Sequence, residues 1–333
     1  MCTEAFSSNP RGRILALGEL LVDLVPAREG MLIRDPGPVM KTVSGSAGIF
    51  ACAAARLGAP SGFIGKVGRD PLSAMAADTI RREGVDTRCL TVSTEGQIGL
   101  AFLEYTPSGR NYQYYREGSA GSRLSAADIC EDYVASAFAL HFPGMLLELN
   151  ASMRGACLRA AEAAKAHGVL FSFDPNIRRE ISGDPDAKKR MLEAISLADV
   201  VAPTLAEGRQ ITGRESVGDV MRALKDMGPG TVALTMDRQG AALCSGDRVI
   251  LADAVRVEEA DPTGAGDTFA AALCVGLREN METDRLAMFC CAAGALAVTR
   301  RGAIGMALPS REETDALVSS GACRVREIAL SEL

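Results

Sequence analysis

The run Asp261-Pro262-Thr263-Gly264-Ala265-Gly266-Asp267-Thr268-Phe269 sets three small residues between two aspartates and then opens into an apolar, helix-forming stretch. Gly264, Ala265 and Gly266 leave the backbone uncovered, so their N–H groups can converge on one anionic group. The helix that follows adds its positive end at the same spot. Asp267 stands at the mouth of that cradle. A carboxylate there would repel a phosphate, so it is not placed to bind one. It suits a base that takes a proton from an incoming hydroxyl while the cradle steadies negative charge on the group being transferred. That is the layout of a phosphoryl-transfer enzyme. No G-K-[ST] follows the glycines, which excludes a Walker A loop, and the third glycine of a G-x-G-x-x-G fingerprint is missing. The bland alternative is a Gly-rich turn before a core helix.

Such a loop works only if a rigid scaffold holds it. Arg13–Gly18 and Ser61–Gly68 are short apolar runs that read as buried strands, with helices over Ile49–Leu57 and Pro71–Glu83. Further strands are expected over Ala137–Phe142, Val169–Phe173, Val200–Pro203 and Thr231–Thr235, and helices over Ser152–His167, Ala187–Ala198 and Val217–Met227. Alternation at this pitch means βαβ units and a mostly parallel sheet covered by helices on both faces. From Arg88 to Arg116 the pattern changes to alternating polar and apolar residues, and four of the chain's five tyrosines fall there. The expected organisation is one domain over residues 1–333, with a small β lid built from segments near 18–45 and 88–120.

Composition removes several function classes. A formal charge of −6 and no basic run exclude nucleic-acid binding, which needs clustered Lys and Arg. Ten cysteines without a C-x-x-C pair, two of them adjacent at Cys290-Cys291 in an apolar run, read as reduced core residues. There is no basic, apolar leader and no uninterrupted apolar stretch of about 20 residues, so the expectation is a soluble, cytoplasmic protein without membrane contact. His141 and His167 flank apolar strands and read as structural, with no partner acid in sequence.

With these residues in view, the chain resembles the ribokinase-like (PfkB) carbohydrate kinases over nearly its whole length, from about Arg13 to Pro309. Asp261–Phe269 matches that family's C-terminal signature. The resemblance implies a three-layer α/β/α domain, mostly parallel, with a small β-sheet lid. It implies ATP as phosphoryl donor, Mg²⁺ as its companion, and a homodimer through the lid. Asp267 would be the catalytic base, and the backbone of Gly264, Ala265 and Gly266 the anion hole. Asp23, in Gly18-Glu19-Leu20-Leu21-Val22-Asp23, matches the sugar-binding aspartate, whose lone pairs can accept two hydroxyls.

Ser44-Gly45-Ser46-Ala47-Gly48-Ile49 stands at the N-terminal signature, where Gly45 lets a sugar approach the backbone; Ile49 replaces the asparagine usual there. Tyr114-Tyr115-Arg116-Glu117-Gly118-Ser119-Ala120 resembles a stretch of 2-keto-3-deoxygluconate kinases and, more loosely, of fructokinases. Asp174-Pro175-Asn176-Ile177-Arg178 resembles a string found in both. Tyr114, Arg116 and Arg178 suit a carboxylate-bearing sugar, because guanidinium binds carboxylate bidentately; they also suit ATP phosphates.

Glu207 matches a glutamate that organises Mg²⁺ through water, with Thr204 in place of the usual asparagine. Thr235 to Gly240 matches the phosphate-side loop, with Asp237 where glycine is common. Ala293 lies on the adenine-side helix. Asp261 and Thr263 match a monovalent-cation site, for K⁺, found in some relatives. The leading expectation is an ATP-dependent kinase of 2-keto-3-deoxygluconate or a related sugar acid, with fructose as the alternative acceptor. A nucleotide- or sugar-binding protein of little turnover is the alternative of another class, motivated by Ile49, Thr204 and Asp237. A dehydrogenase is a weaker third, since no N-terminal G-x-G-x-x-G exists.

Overall fold

The computed structural model describes residue 9 and residues 11–28, 30–106, 109–177 and 185–333. The chain begins β1 (Ile14–Leu17), β2 (Leu21–Pro26), β3 (Val39–Ser44), α1 (Ser46–Arg56), β4 (Ser61–Val67), α2 (Pro71–Arg82) and β5 (Asp86–Val92). It continues through β6 (Gly99–Thr106), β7 (Gly109–Tyr115), α3 (Glu131–Ala135), β8 (Ala139–Pro143), α4 (Ala151–Ala166), β9 (Leu170–Asp174) and α5 (Pro185–Leu197). Then come β10 (Val200–Val201), α6 (Leu205–Thr212), α7 (Val217–Asp226), β11 (Thr231–Thr235), β12 (Ala241–Ser245) and β13 (Arg248–Ala252). The last elements are α8 (Ala265–Arg278), α9 (Thr283–Ala297), α10 (Arg311–Ser319) and β14 (Val325–Ala329).

Ten strands form one sheet in the order β14-β13-β12-β11-β10-β9-β8-β1-β4-β5. Pairing is parallel from β11 through β5. The central strands are almost wholly apolar and buried, as strands covered on both faces must be. Successive residues of β1 go to opposite sides: Ile14 and Ala16 join the apolar cluster of α1, α8 and α9, while Leu15 and Leu17 join that of α4, α5 and α7. The expected three layers are therefore present, and element ends agree with the expectations to within a few residues.

Two features of the sheet depart from expectation. Residues 88–92, assigned to the lid, belong to β5, which pairs with β4 at the edge of the large sheet. An edge strand has one side and one border open, so its sequence alternates like that of a lid strand. Beyond β11 the sheet also continues through three antiparallel strands, β12, β13 and β14. The turn at Gly246-Asp247, with Gly246 at φ 61°, was the readable sign of that hairpin.

The small sheet has the order β3-β2-β6-β7, with β2 and β6 parallel and the outer pairs antiparallel. His141 is fully buried, stacks on Phe50 at 3.8 Å and meets Ser172 Oγ at 3.0 Å. Burial pushes its pKa down to about 3, so it is a neutral core residue. His167 does have an acidic partner, Glu131 Oε1 at 3.1 Å. Among the described cysteines none is disulfide-bonded, and most are buried. Among the described residues no helix is long and apolar enough to cross a membrane.

Gly240 enters β12 at φ 97°, and a Cβ there would lie 1.9 Å from the carbonyl oxygen of Ala252. Gly240→Ala combines a forbidden dihedral with a backbone overlap, so we expect a loss of about 3 kcal/mol in stability. A urea melt of the variant beside the parent protein checks this; an unchanged midpoint would overturn it.

Candidate active site

A cavity of about 350 Å³ opens where the parallel strands end. Its wall takes Glu19 from just past β1, Pro143 from β8, Asp174 from β9 and Asn176 from just past it, Ala202 and Thr204 from beyond β10, and Thr235 from β11. Ligands of open α/β sheets bind at this carboxyl edge. The first turns of α1 and α8 close one side, and Tyr112 and Tyr114 of β7 reach in from the small sheet.

The glycine-flanked segment read from sequence as an anion cradle forms the start of α8 on the cavity wall. Gly264 caps α8 at φ 80°, with no side-chain hydrogen bond to the helix end. First-turn N–H groups of a helix lack intrahelical partners, so this end is a ready anion site. A Cβ on Gly266 would project into open space, whereas one on Gly264 would meet Ile49 Cγ2 at 3.0 Å. Ile49 is thus a buried apolar support beneath the cradle and makes no polar contact with a ligand hydroxyl. Asp267, half-buried in the first turn, lines the cavity with Gly264 and Gly266. Ser46 Oγ donates a hydrogen bond to its Oδ1.

Opposite lies the group from β1 and the small sheet. Gly45 turns β3 into α1 at φ 107°; a Cβ there would sit 2.5 Å from the carbonyl oxygen of Glu19. Only glycine therefore lets the two segments close the pocket. Asp23 is 3% exposed and lines the cavity. Burial raises its pKa to about 6, the Ser44 hydrogen bond pulls it back, and the charge on Asp261 adds to the rise.

Arg116 donates to Glu19 Oε1 at 2.7 Å and lies over the Tyr114 ring, 4.6 Å from its centroid. Glu19 is buried, its Oε2 has no hydrogen-bond partner, and burial raises its pKa against the pull of Arg116. The guanidinium expected to receive a substrate carboxylate is thus already held by an acid.

On the third wall, Thr204 caps α6. Its hydroxyl accepts from Glu207 N at 3.2 Å, and Glu207 Oε2 accepts from the Thr204 N–H at 2.8 Å. Threonine so preserves the capping task of an asparagine. Glu207 Oε1 also accepts from Ile177 N at 2.7 Å, tying α6 to the segment after β9. No group of three or more His, Cys, Asp or Glu among the described residues is arranged to hold a metal. Glu207 lines the cavity wall as an oxygen donor, a type that suits a hard cation such as Mg²⁺ met through water. Asp261 Oδ1 accepts from Thr263 N at 3.0 Å and Thr263 Oγ1 at 2.7 Å, and Oδ2 from Gly302 N at 3.3 Å. These two residues brace the loop before α8.

Thr235 lines the cavity; Gly240 and Ala293 are buried away from it. Asp237 is exposed at φ 54°, a backbone region glycine favours, which accounts for a glycine being common there. Arg178 lies outside the described residues. Sequence reasoning assigned no role to Glu19, Ser46 or Asn176. Ser46 carried a signal, since it stands three residues before Ile49 on one helix face. Glu19 and Asn176 were visible only as members of longer strings.

The pfkB family carbohydrate kinase pattern matches residues 11–311. Fructokinase-1 of Oryza sativa subsp. japonica is 30% identical over 317 residues, covering 92% of this chain and 98% of that protein. Fructokinase-2 of Solanum lycopersicum is 30% identical over 322 residues, covering 93% and 97%. An E. coli protein given the working name Ribokinase II, crystallised with ATP and Mg²⁺, superposes with TM-score 0.88 at 28% identity over 93% of this chain and 99% of that one. Fructokinase from Vibrio cholerae O395, bound to fructose, ADP and calcium, gives TM-score 0.79 at 26% identity over 93% and 100%. A family pattern matched over residues 11–311, from before β1 to the start of α10, makes this chain a member of the pfkB family of carbohydrate kinases.

Proposed function

We propose that the protein phosphorylates a neutral ketohexose, fructose foremost, with ATP as donor and Mg²⁺ as the donor's companion. The observation that carries the choice of acceptor is the partly buried Glu19–Arg116 pair. Among the described residues the cavity is lined by Glu19, Asp23, Asp174, Glu207 and Asp267 against one arginine, itself paired. A sugar acid entering it would desolvate its carboxylate beside other carboxylates. A neutral polyol finds acceptors for its hydroxyls. The fructokinase relatives support the same reading, so the sugar acid expected first gives way to fructose.

In the reaction, Asp23 accepts hydroxyls of the sugar and holds it under Tyr112 and Tyr114. Asp267 takes the proton of the reacting hydroxyl as its oxygen bonds to the γ-phosphorus and the bond to the ADP oxygen breaks. The amides of Gly264, Ala265 and Gly266 hold the charge on the transferred group. Mg²⁺, when bound, neutralises phosphate charge, and Glu207 would hold it through water. The small sheet excludes water that would otherwise accept the phosphoryl group. Exposed Val39, Met40 and Tyr115 on that sheet support the expected homodimer through it.

Three outcomes are expected. In an ADP-release assay with Mg-ATP, fructose gives kcat/KM at least about tenfold above 2-keto-3-deoxygluconate; the reverse ratio sinks the acceptor assignment. Asp267→Asn lowers kcat by about 10²–10⁴-fold with sugar binding retained. Normal turnover in that variant would instead remove Asp267 as base, and silence of the parent protein across all acceptors would favour a binder. Because only the ionised Asp23 offers both oxygens as acceptors, KM for the sugar rises as pH falls through about 6 and levels off above it. Its burial acts oppositely on the free protein. The folded state binds the proton more tightly, so this contribution to stability is present below the ordinary 3.8 and lost as pH rises through about 6. Asp23→Asn should flatten both profiles, and persistence of either would assign it to another group.

A further inference from the structure

Ser46 opens α1 immediately after the strained turn at Gly45, on the cavity wall. Its hydroxyl donates to Asp267 Oδ1, and its oxygen accepts from Asn176 Nδ2 at 3.3 Å. Asn176 is held at φ 40°, a dihedral few non-glycine residues adopt, with its N–H donating to Asp174 Oδ1 at 3.0 Å. Strain of this kind persists where surrounding structure imposes it, and it gathers at functional sites. Three segments far apart in the chain therefore meet at one hydroxyl: the start of α1, the end of β9 and the start of α8.

A serine hydroxyl has one proton to give. With the Asn176 amide donating into its oxygen, the Ser46 proton is directed at the carboxylate. Ile49, one turn further along α1, packs under Gly264 and has no polar atom for this task. We propose that Ser46 is a positioning residue for Asp267: its hydroxyl fixes the carboxylate in the orientation that meets the reacting sugar hydroxyl, and Asn176 sets the direction in which it donates. Ser46 keeps its proton throughout, and the proton of the acceptor hydroxyl passes to Asp267 alone. This rests on Asp267 being the base, as proposed above.

The test is a double-mutant cycle in kcat with Mg-ATP and whichever acceptor of the panel turns over fastest. Ser46→Ala should lower kcat about 10- to 50-fold with both KM values within about threefold, since alignment and not binding is lost. Ser46→Thr, which keeps a hydroxyl, should recover most of the loss. In an Asp267→Asn background Ser46→Ala should change residual turnover less than about twofold, because there is no base left to orient. Ser46→Ala with parental kcat, a loss confined to KM, a loss that Ser46→Thr leaves unrepaired, or an undiminished loss in the Asp267→Asn background each overturns the proposal. Undiminished kcat in Asp267→Asn alone is the separate result that removes the base itself.

Discussion

Parallel pairing is the constraint on which this molecule depends. A parallel strand cannot return by a tight turn, so β4, β5, β8, β9, β10 and β11 are each reached by a crossover, and all of them end at one edge of the large sheet. With β4 on one side of β1 and β8 on the other, the chain parts at that edge and leaves a crevice. The crevice receives the polar residues that the buried strands exclude. Glu19, Asp174, Asn176, Thr204 and Thr235 all sit just past or at the end of a strand. Helices α1 and α8, packed together against one face, bring their first turns to the same place.

Electrostatics then divides the crevice. At one end the start of α8 offers amides and a glycine whose missing Cβ leaves space. At the other, carboxylates are buried at a cost that is met in different ways. Glu19 has a guanidinium beside it, and Asp23 has a serine hydroxyl and a pKa pushed up to about 6. Under the proposed function, the first region suits an anion and the second a hydroxyl-rich neutral molecule. The pairing of Arg116 with Glu19 supports that proposal, since it leaves a charge-balanced wall against the Tyr114 ring where a free guanidinium would receive a carboxylate.

The departures from the family pattern acquire separate physical explanations. Thr204 still caps α6 and still engages Glu207. Asp237 occupies its positive φ with an exposed side chain. Ile49 supports Gly264 by van der Waals contact. None of the three removes a group that the proposed chemistry uses, and the hydroxyl of Ser46 lies on the same face of α1 as Ile49.

Local chemistry was enough to reveal much of this. The glycines and aspartate of 261–269, the apolar strand runs and the Ala-rich helices have conformational preferences that act over a few residues, so the three layers and the glycine-led start of α8 were legible from sequence alone. The order of strands at the edge was not: β5 and the lid strands share an alternating pattern because both have an open face, and only pairing with β4 separates them. Nor could sequence tell whether Arg116 would face a ligand or an acid. The answer depends on Glu19, 97 residues away, arriving within 2.7 Å. The same holds for Ser46 and Asp267, separated by 221 residues and joined by one hydrogen bond. Residue type states what a group can donate or accept; tertiary structure decides which partner it meets, because that choice is made by packing between segments the chain itself keeps far apart.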